Sequence, residues 1–214
     1  MARFAASLKR GETVTNATYE AGFGSSSRLY ARVNEDLGMT PSAFRSGGRG
    51  VTLRYTTVST AVGRMLVAVT ERGIVAVSFG DTDAALITSL HNDYPNAELR
   101  RDRKGLEKHV YGLLKCLNGS SDMDLLPLDV KATGFQRKVW QALQQIPPGQ
   151  TRSYQEIARA IGQPAAARAV ARACASNPVA VAIPCHRVVR GDGHLAGYRW
   201  GLERKQRLLA MERT

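Results

Sequence analysis

The chemistry of this 214-residue sequence is concentrated in the run Ile183-Pro184-Cys185-His186-Arg187-Val188-Val189. A cysteine beside a histidine offers a sulfur nucleophile and a base that titrates near neutrality, the residue types of nucleophilic catalysis. A free thiol is mostly protonated at neutral pH, so such a site needs a base to expose the thiolate. Taken alone the pair is a weak signal, because adjacent side chains on an extended strand point to opposite faces. The other cysteines, Cys116 and Cys174, complete an odd set without a C-x-x-C pair, so neither a disulfide framework nor an all-thiolate zinc site is expected. Cys116 sits among Leu113, Leu114 and Leu117 and reads as a small buried apolar residue.

The elements that must position this run lie on both sides of it. Residues 135–146 are amphipathic and end at Pro147-Pro148-Gly149. Ser153-Tyr154-Gln155-Glu156 fits a capping box and opens a helix to about residue 161. Gly162-Gln163 is a tight turn, and Pro164 suits the first position of a helix over residues 165–175. Two helices across a short turn make a helix-turn-helix. The second helix is almost all small residues with Arg168 and Arg172 one turn apart. An alanine-rich core helix is one reading. Insertion into a narrow groove, with a side chain as a wedge, is the other.

Further upstream, residues 51–58, 64–70 and 73–80 are β-branched runs with short connections, which predicts an antiparallel meander. Residues 84–90 and 106–117 read as helices and residues 125–130 as another strand, a segment of scaffold character. Residues 1–48 read as short helices, and Ser46-Gly47-Gly48-Arg49-Gly50 is the best linker in the chain.

Charge sharpens the class. The net charge is +12, with residues 135–214 holding thirteen Lys+Arg against four Asp+Glu, while residues 51–134 are balanced at ten each. Eleven of the thirteen cations are arginine, which suits phosphate geometry and favours a polyanionic partner over a merely solvated surface. No apolar run approaches the ~18 residues of a membrane span, and the N-terminus has no signal-peptide core, so a cytoplasmic protein is expected.

Family resemblance then gives the run its meaning. Pro184-Cys185-His186-Arg187-Val188, with Asn177-Pro178 upstream, Gly197-Tyr198-Arg199-Trp200-Gly201 downstream and the stretch Lys205 to Glu212, resembles the active-site region of the O6-alkylguanine-DNA alkyltransferases. The likeness is strongest to the C-terminal part of Ada-type adaptive-response proteins and covers residues 51–214. In addition, Gly22-Phe23-Gly24-Ser25-Ser26-Ser27-Arg28-Leu29-Tyr30 with Leu37 to Phe44 resembles the second helix-turn-helix of AraC-type regulators.

The resemblance implies an α+β fold in three parts. These are a partial AraC-type helix-turn-helix (1–48), an antiparallel-sheet, ribonuclease H-like subdomain (49–133) and a helical DNA-binding subdomain with a helix-turn-helix (134–214). It implies that Cys185 accepts the alkyl group, that His186 is a base acting through a water with Glu212 orienting it, and that Asn177 braces the active-site turn. Tyr154 would crowd the target phosphate and protonate the departing base. Arg168 would enter the base stack, on a helix whose Ala167, Ala171 and Arg172 also meet DNA. Val188, Tyr198 and Arg199 would line the base pocket.

The implied partner is double-stranded DNA carrying O6-alkylguanine or O4-alkylthymine, with the protein a monomer that takes no cofactor. Target access requires flipping the base out of the duplex. The N-terminal cysteine cluster of Ada-type proteins has no counterpart, so no zinc and no phosphotriester repair are expected. Three other readings stand beside this one. They are an Ada-like transcriptional regulator using residues 1–48, a lesion binder that lacks an acceptor, which the presence of Cys185 disfavours, and a thiol hydrolase, which leaves the basic segment unexplained.

Overall fold

The computed structural model describes residues 50–119 and 126–213. The helices and helix-turn-helix expected within residues 1–48 lie outside the described residues, as does the linker apart from Gly50.

Three β-branched runs build the expected meander. Strands β1 (Thr52–Thr60), β2 (Gly63–Val69) and β3 (Ile74–Gly80) pair antiparallel in succession. The Thr60 hydroxyl closes the first turn, donating to the Gly63 carbonyl and accepting from the Val62 N–H. Gly73 closes the second at φ +153°, where an added Cβ would lie 2.3 Å from the Pro127 carbonyl oxygen. Gly73→Ala is therefore expected to lower the unfolding free energy by about 3 kcal/mol. Urea titration checks this, and an unchanged midpoint would show that the Pro127 segment yields freely.

Alternation along β2 sends Met65, Val67 and Val69 to one face of the sheet and Leu66 and Ala68 to the other. The second face is covered by Leu86 and Leu90 of helix α1 (Asp83–Asp93), which is capped by the Thr82 hydroxyl accepting from the Ala85 N–H. Burial on both faces explains the unbroken apolar run of this strand. A fourth strand, β4 (Glu98–Arg101), joins β1 in parallel, so the sheet is mixed, in the order β3-β2-β1-β4. Sequence reading missed β4 because Glu-Leu-Arg-Arg has a single apolar residue; charged side chains are what an exposed sheet edge carries.

Helix α2 (Glu107–Leu117) packs Leu113, Cys116 and Leu117 into the core, and Cys116 is buried as its neighbours imply. The strand expected at residues 125–130 is absent from the described residues 126–130. Leu128 makes only an isolated bridge to Ile74, flanked by the Ile74 N–H donating to Pro127 and the Asp129 N–H donating to Ile74. Pro127 lacks the donor a ladder needs, and the Asp129 carboxylate is taken by the Thr70 hydroxyl at 2.6 Å and by Arg72.

The second half is helical. Helix α3 (Gly134–Gln144) opens on a Thr133–Gln136 capping box and α4 (Tyr154–Ala160) on the expected Ser153–Glu156 box. Gly162, at φ +73°, ends α4, and a 3-10 turn at Pro164–Ala166 precedes α5 (Ala167–Ala175). Proline thus opens the tighter turn rather than the helix, which begins two residues later than its spacing predicts. Helix α6 (Leu202–Met211) buries Lys205, Leu208 and Leu209, and β5 (Arg152–Ser153) pairs in parallel with β6 (Val188–Val189).

One core runs through both halves, from Val67 and Val77 through Leu113, Trp140, Leu143 and Val170 to Cys185. The Trp140 indole donates to the Ala173 carbonyl at 2.9 Å, tying α3 to α5. At the outer edge of β3, the Val77 N–H donates to Pro178 and the Val77 carbonyl accepts from Ala180. The sheet therefore holds the segment that leads into Cys185.

Candidate active site

Asn177 organises the approach to the cysteine. It is fully buried; its side-chain oxygen Oδ1 accepts from the Val179 N–H at 3.0 Å, and its side-chain amide donates to the Ile183 carbonyl at 2.8 Å and to the Cys185 sulfur at 3.2 Å. Between these anchors Val181 sits at φ +67°, with the Ala182 N–H donating to Ala180 across it. A β-branched residue in this tight left-handed turn costs on the order of 1–3 kcal/mol, which the surrounding bonds offset. Pro184 makes a second tight turn, and Cys185–Arg187 follow as a 3-10 turn. The 3-10 turn, rather than an extended strand, sets the directions of the Cys185 and His186 side chains. In a 3-10 turn successive side chains fan out by about 120°. Cys185 consequently meets a cavity while His186 and Arg187 turn towards the end of α6.

That end carries Glu212, which caps α6. His186 Nε2 lies 2.8 Å from Glu212 Oε1 with both side chains almost wholly buried. Arg187 Nε reaches both carboxylate oxygens at 3.0 and 3.1 Å, and its Nη2 reaches Oε1 at 2.7 Å. Burial would raise the Glu212 pKa, but the hydrogen bonds from His186 and Arg187 outweigh it and hold the carboxyl down to about 2. Burial lowers the pKa of His186 against the pull of Glu212, so the ring is neutral at pH 7. Its other nitrogen, Nδ1, is buried without a hydrogen-bond partner among the described residues.

Burial pushes the Cys185 thiol up to about 11, opposed by the hydrogen bond from Asn177 and by the charge of Lys205. Lys205 is itself fully buried, with Nζ donating to the Val188 carbonyl at 2.5 Å and to Ala196 at 3.4 Å. It ties Val188, just after the Cys185 turn, to Ala196, where the cavity-lining stretch begins.

The cavity beside Cys185 has a volume of about 440 Å³. Helix α5 contributes Ala171, Cys174 and Ala175 to its lining, α4 contributes Tyr154, and the loop contributes Ala196 to Arg199. Burial, with Cys174 and Cys185 nearby, pushes the Tyr154 phenol up to about 12, so it carries its proton at pH 7. Tyr198 packs edge-on between His186, at 6.5 Å, and Trp200, at 5.1 Å. Arg199 donates to the Asn177 carbonyl at 3.4 Å and to Asp93 of α1 at 3.2 Å, pinning the loop to the sheet half.

The structure thus brings Cys185, His186, Glu212, Asn177, Tyr154, Ala171, Tyr198 and Arg199 to one place. Val188 is fully buried and does not line the cavity; its carbonyl is bound by Lys205. Arg168 and Arg172 are exposed on α5 outside the cavity, with Ala167 half-buried beside them. The opposite face of that helix buries Val170, Ala173 and Cys174, so it is a core helix and a surface helix at once. Sequence reasoning missed Arg187, Lys205 and Cys174. Lys205 carried a signal, since it falls three and four residues before Leu208 and Leu209 on the apolar face of α6.

The two halves of the chain match known families. The description "6-O-methylguanine DNA methyltransferase, ribonuclease-like domain" matches residues 53–130, and the DNA-binding domain of the same description matches residues 134–214. The chain belongs to this methyltransferase family. It is 49% identical over 210 residues to the bifunctional transcriptional activator/DNA repair enzyme Ada of Escherichia coli, a match covering 98% of this chain and 59% of that protein. The chain thus spans about three fifths of that relative's length. A probable methylated-DNA–protein-cysteine methyltransferase of Acanthamoeba polyphaga mimivirus is 42% identical over 145 residues, 67% of this chain and 93% of its own. Among solved structures, the Mycobacterium tuberculosis O6-methylguanine methyltransferase superposes with a TM-score of 0.61 at 32% identity, covering 76% of this chain and 93% of that one. Among the described residues no helix is long and apolar enough to cross a membrane.

Proposed function

We propose that this protein repairs alkylated DNA by moving the alkyl group from O6 of guanine, or O4 of thymine, onto Cys185 in a single turnover. One observation carries the reading. The Cys185 sulfur lies in the wall of a cavity with the Asn177 amide on it, and the neutral His186, held by Glu212, is its neighbour in the chain. In the proposed step His186 Nδ1 takes the thiol proton through a bridging water. The sulfur lone pair then forms an S–C bond as the C–O bond breaks, and the electron pair leaves on the base. Tyr154 supplies a proton to that base, which is released as unmodified guanine or thymine. The product at Cys185 is a thioether. No group in the cavity attacks a thioether carbon, so the chain is spent.

The DNA-facing part of the proposal uses α4, the turn and α5 as the reading unit, with Arg168 as the wedge that replaces the flipped nucleotide and Arg172 on phosphate. The basic charge of residues 135–214 supports it, and a DNA complex is among the related solved structures, that of the Mycobacterium tuberculosis OGT. A cytoplasmic location beside the nucleoid belongs to the same proposal. A second reading, regulation of transcription through residues 1–48, draws support from the match to an activator over 98% of this chain. Footprinting on promoter DNA tests it, and loss of protection on deleting residues 1–48 is the result it requires.

The transfer itself is tested by peptide mass spectrometry after incubation with an O6-methylguanine duplex. The expected result is a gain of about 14 Da on the Cys185 peptide, at most one per chain. Methyl on Cys174 or Cys116 instead, or bound duplex with Cys185 unmodified, would sink the assignment.

A further inference from the structure

Arg187 is the buried cation of the site to which the proposed chemistry gives no task. Its guanidinium is anchored on both sides. One edge lies along Glu212, with Nε 3.0 and 3.1 Å from the two carboxylate oxygens and Nη2 2.7 Å from Oε1. On the other, Nη1 donates at 2.6 Å to the carbonyl of Ile146, just beyond α3. The Arg187 side chain is 9% exposed and that of Glu212 3%. Glu212 therefore has two partners of different kinds on Oε1, the permanent cation Arg187 and the titratable ring of His186.

These two partners compete. A buried carboxylate 2.8 Å from an imidazole strongly favours the imidazolium when nothing else offsets its charge. An imidazolium has no lone pair on Nδ1 and cannot take a proton from a thiol. A guanidinium stays charged at every relevant pH, and its planar fork spans both carboxylate oxygens. It shares Oε1 with the Nε2–H of His186, and its charge opposes the field of Glu212, adding to the burial that is the larger influence against protonation of that ring. The other groups facing His186 do not change the sign. Lys205 of α6 is a second cation, the Tyr198 ring is edge-on at 6.5 Å, and Cys185 is a neutral thiol. Among the described residues, Glu212 is the only carboxylate against the ring.

We infer that Arg187 is a positioning residue of the transfer site, clamping Glu212 and offsetting its charge so that His186 is held as a neutral imidazole with Nδ1 free to act as base. The inference rests on the proposed role of His186, and its readout is independent of repair. In the unliganded full chain, side-chain 15N spectra of His186 recorded from about pH 5 to 9 report its titration and tautomer. Wild-type His186 is expected to titrate below the usual imidazole range, its neutral form carrying the proton on Nε2 towards Glu212. In Arg187→Met, His186 is expected to titrate at least about one pH unit higher, and the acid limb of the alkyl-transfer rate moves up with it. Transfer then falls roughly tenfold at the acid end of the range and recovers at the alkaline end.

Arg187→Lys keeps the charge without the fork and shifts less. Arg187→Met/Glu212→Gln removes both charges and returns His186 to its neutral wild-type behaviour. A folded Arg187→Met with unchanged His186 titration, or a rate lowered equally at all pH values, overturns the inference. Should Arg187→Met not fold, the other two variants decide: a raised titration in Arg187→Lys together with a neutral ring in the double variant supports it, and any other combination overturns it. A wild-type chain that takes no methyl overturns the proposed function alone, because the His186 spectra still read the effect of Arg187.

Discussion

His186→Ala is expected to transfer methyl roughly a thousandfold more slowly than wild type at pH 7. It is also expected to regain about tenfold for each pH unit between about 7 and 9. The reason lies in the burial of the acceptor. A thiol pushed up to about 11 is ionised in about one molecule in ten thousand at pH 7, so the unassisted protein must wait for hydroxide to remove the proton. With His186 present the base is built in. Its own pKa lies below the usual imidazole value, so the wild-type rate should be nearly level from pH 7 to 9. Single-turnover rates on an O6-methylguanine duplex measure both slopes. A level profile for His186→Ala would remove the ring from the proton path, because the thiolate would then come from another source.

Asn177→Ala is expected to act on both stability and rate. Its side chain satisfies the Val179 N–H and the Ile183 carbonyl at a site with no access to solvent, and alanine leaves both without that partner. About 2–4 kcal/mol of unfolding free energy should be lost. The same change removes the donor on the Cys185 sulfur and one of the influences that lower its pKa. It also frees a turn whose strained Val181 persists only while its ends are fixed. Transfer should slow by about a hundredfold or more, as expected when a reacting atom loses its fixed geometry. Thermal unfolding together with single-turnover rates separates the two effects. A protein that loses stability and keeps its rate would reduce Asn177 to a core residue.

Much of the scaffold was legible because it rests on local rules. The meander followed from β-branched runs with short turns, α4 from its capping box, and the buried Cys116 from its leucine neighbours. What the sequence concealed was set by distant partners. Strand β4 is charged and gains its place from β1, 46 residues away, through backbone pairing that leaves no pattern in side chains. The segment at 126–130 looks like a strand in composition, yet Pro127 and the Thr70–Asp129 contact decide otherwise.

The site divides in the same way. By itself the sequence offered a thiol with a neighbouring base, which the family resemblance turned into a proposed alkyl acceptor, in a strongly basic half suited to a polyanion. It also marked Asn177, Tyr154 and Glu212 as residues to watch, through the resemblance their motifs carry. Only the tertiary structure shows that burial lowers the pKa of His186, that Val188 lies outside the cavity lining, and that Arg187 and Lys205 pack against the cluster. The physical reason is that a charge state depends on burial and on the field of groups brought together from α3, α6 and the loop between Val188 and Ala196. Residue type and spacing specify which groups are available, and packing alone specifies which of them share a dry enclosure.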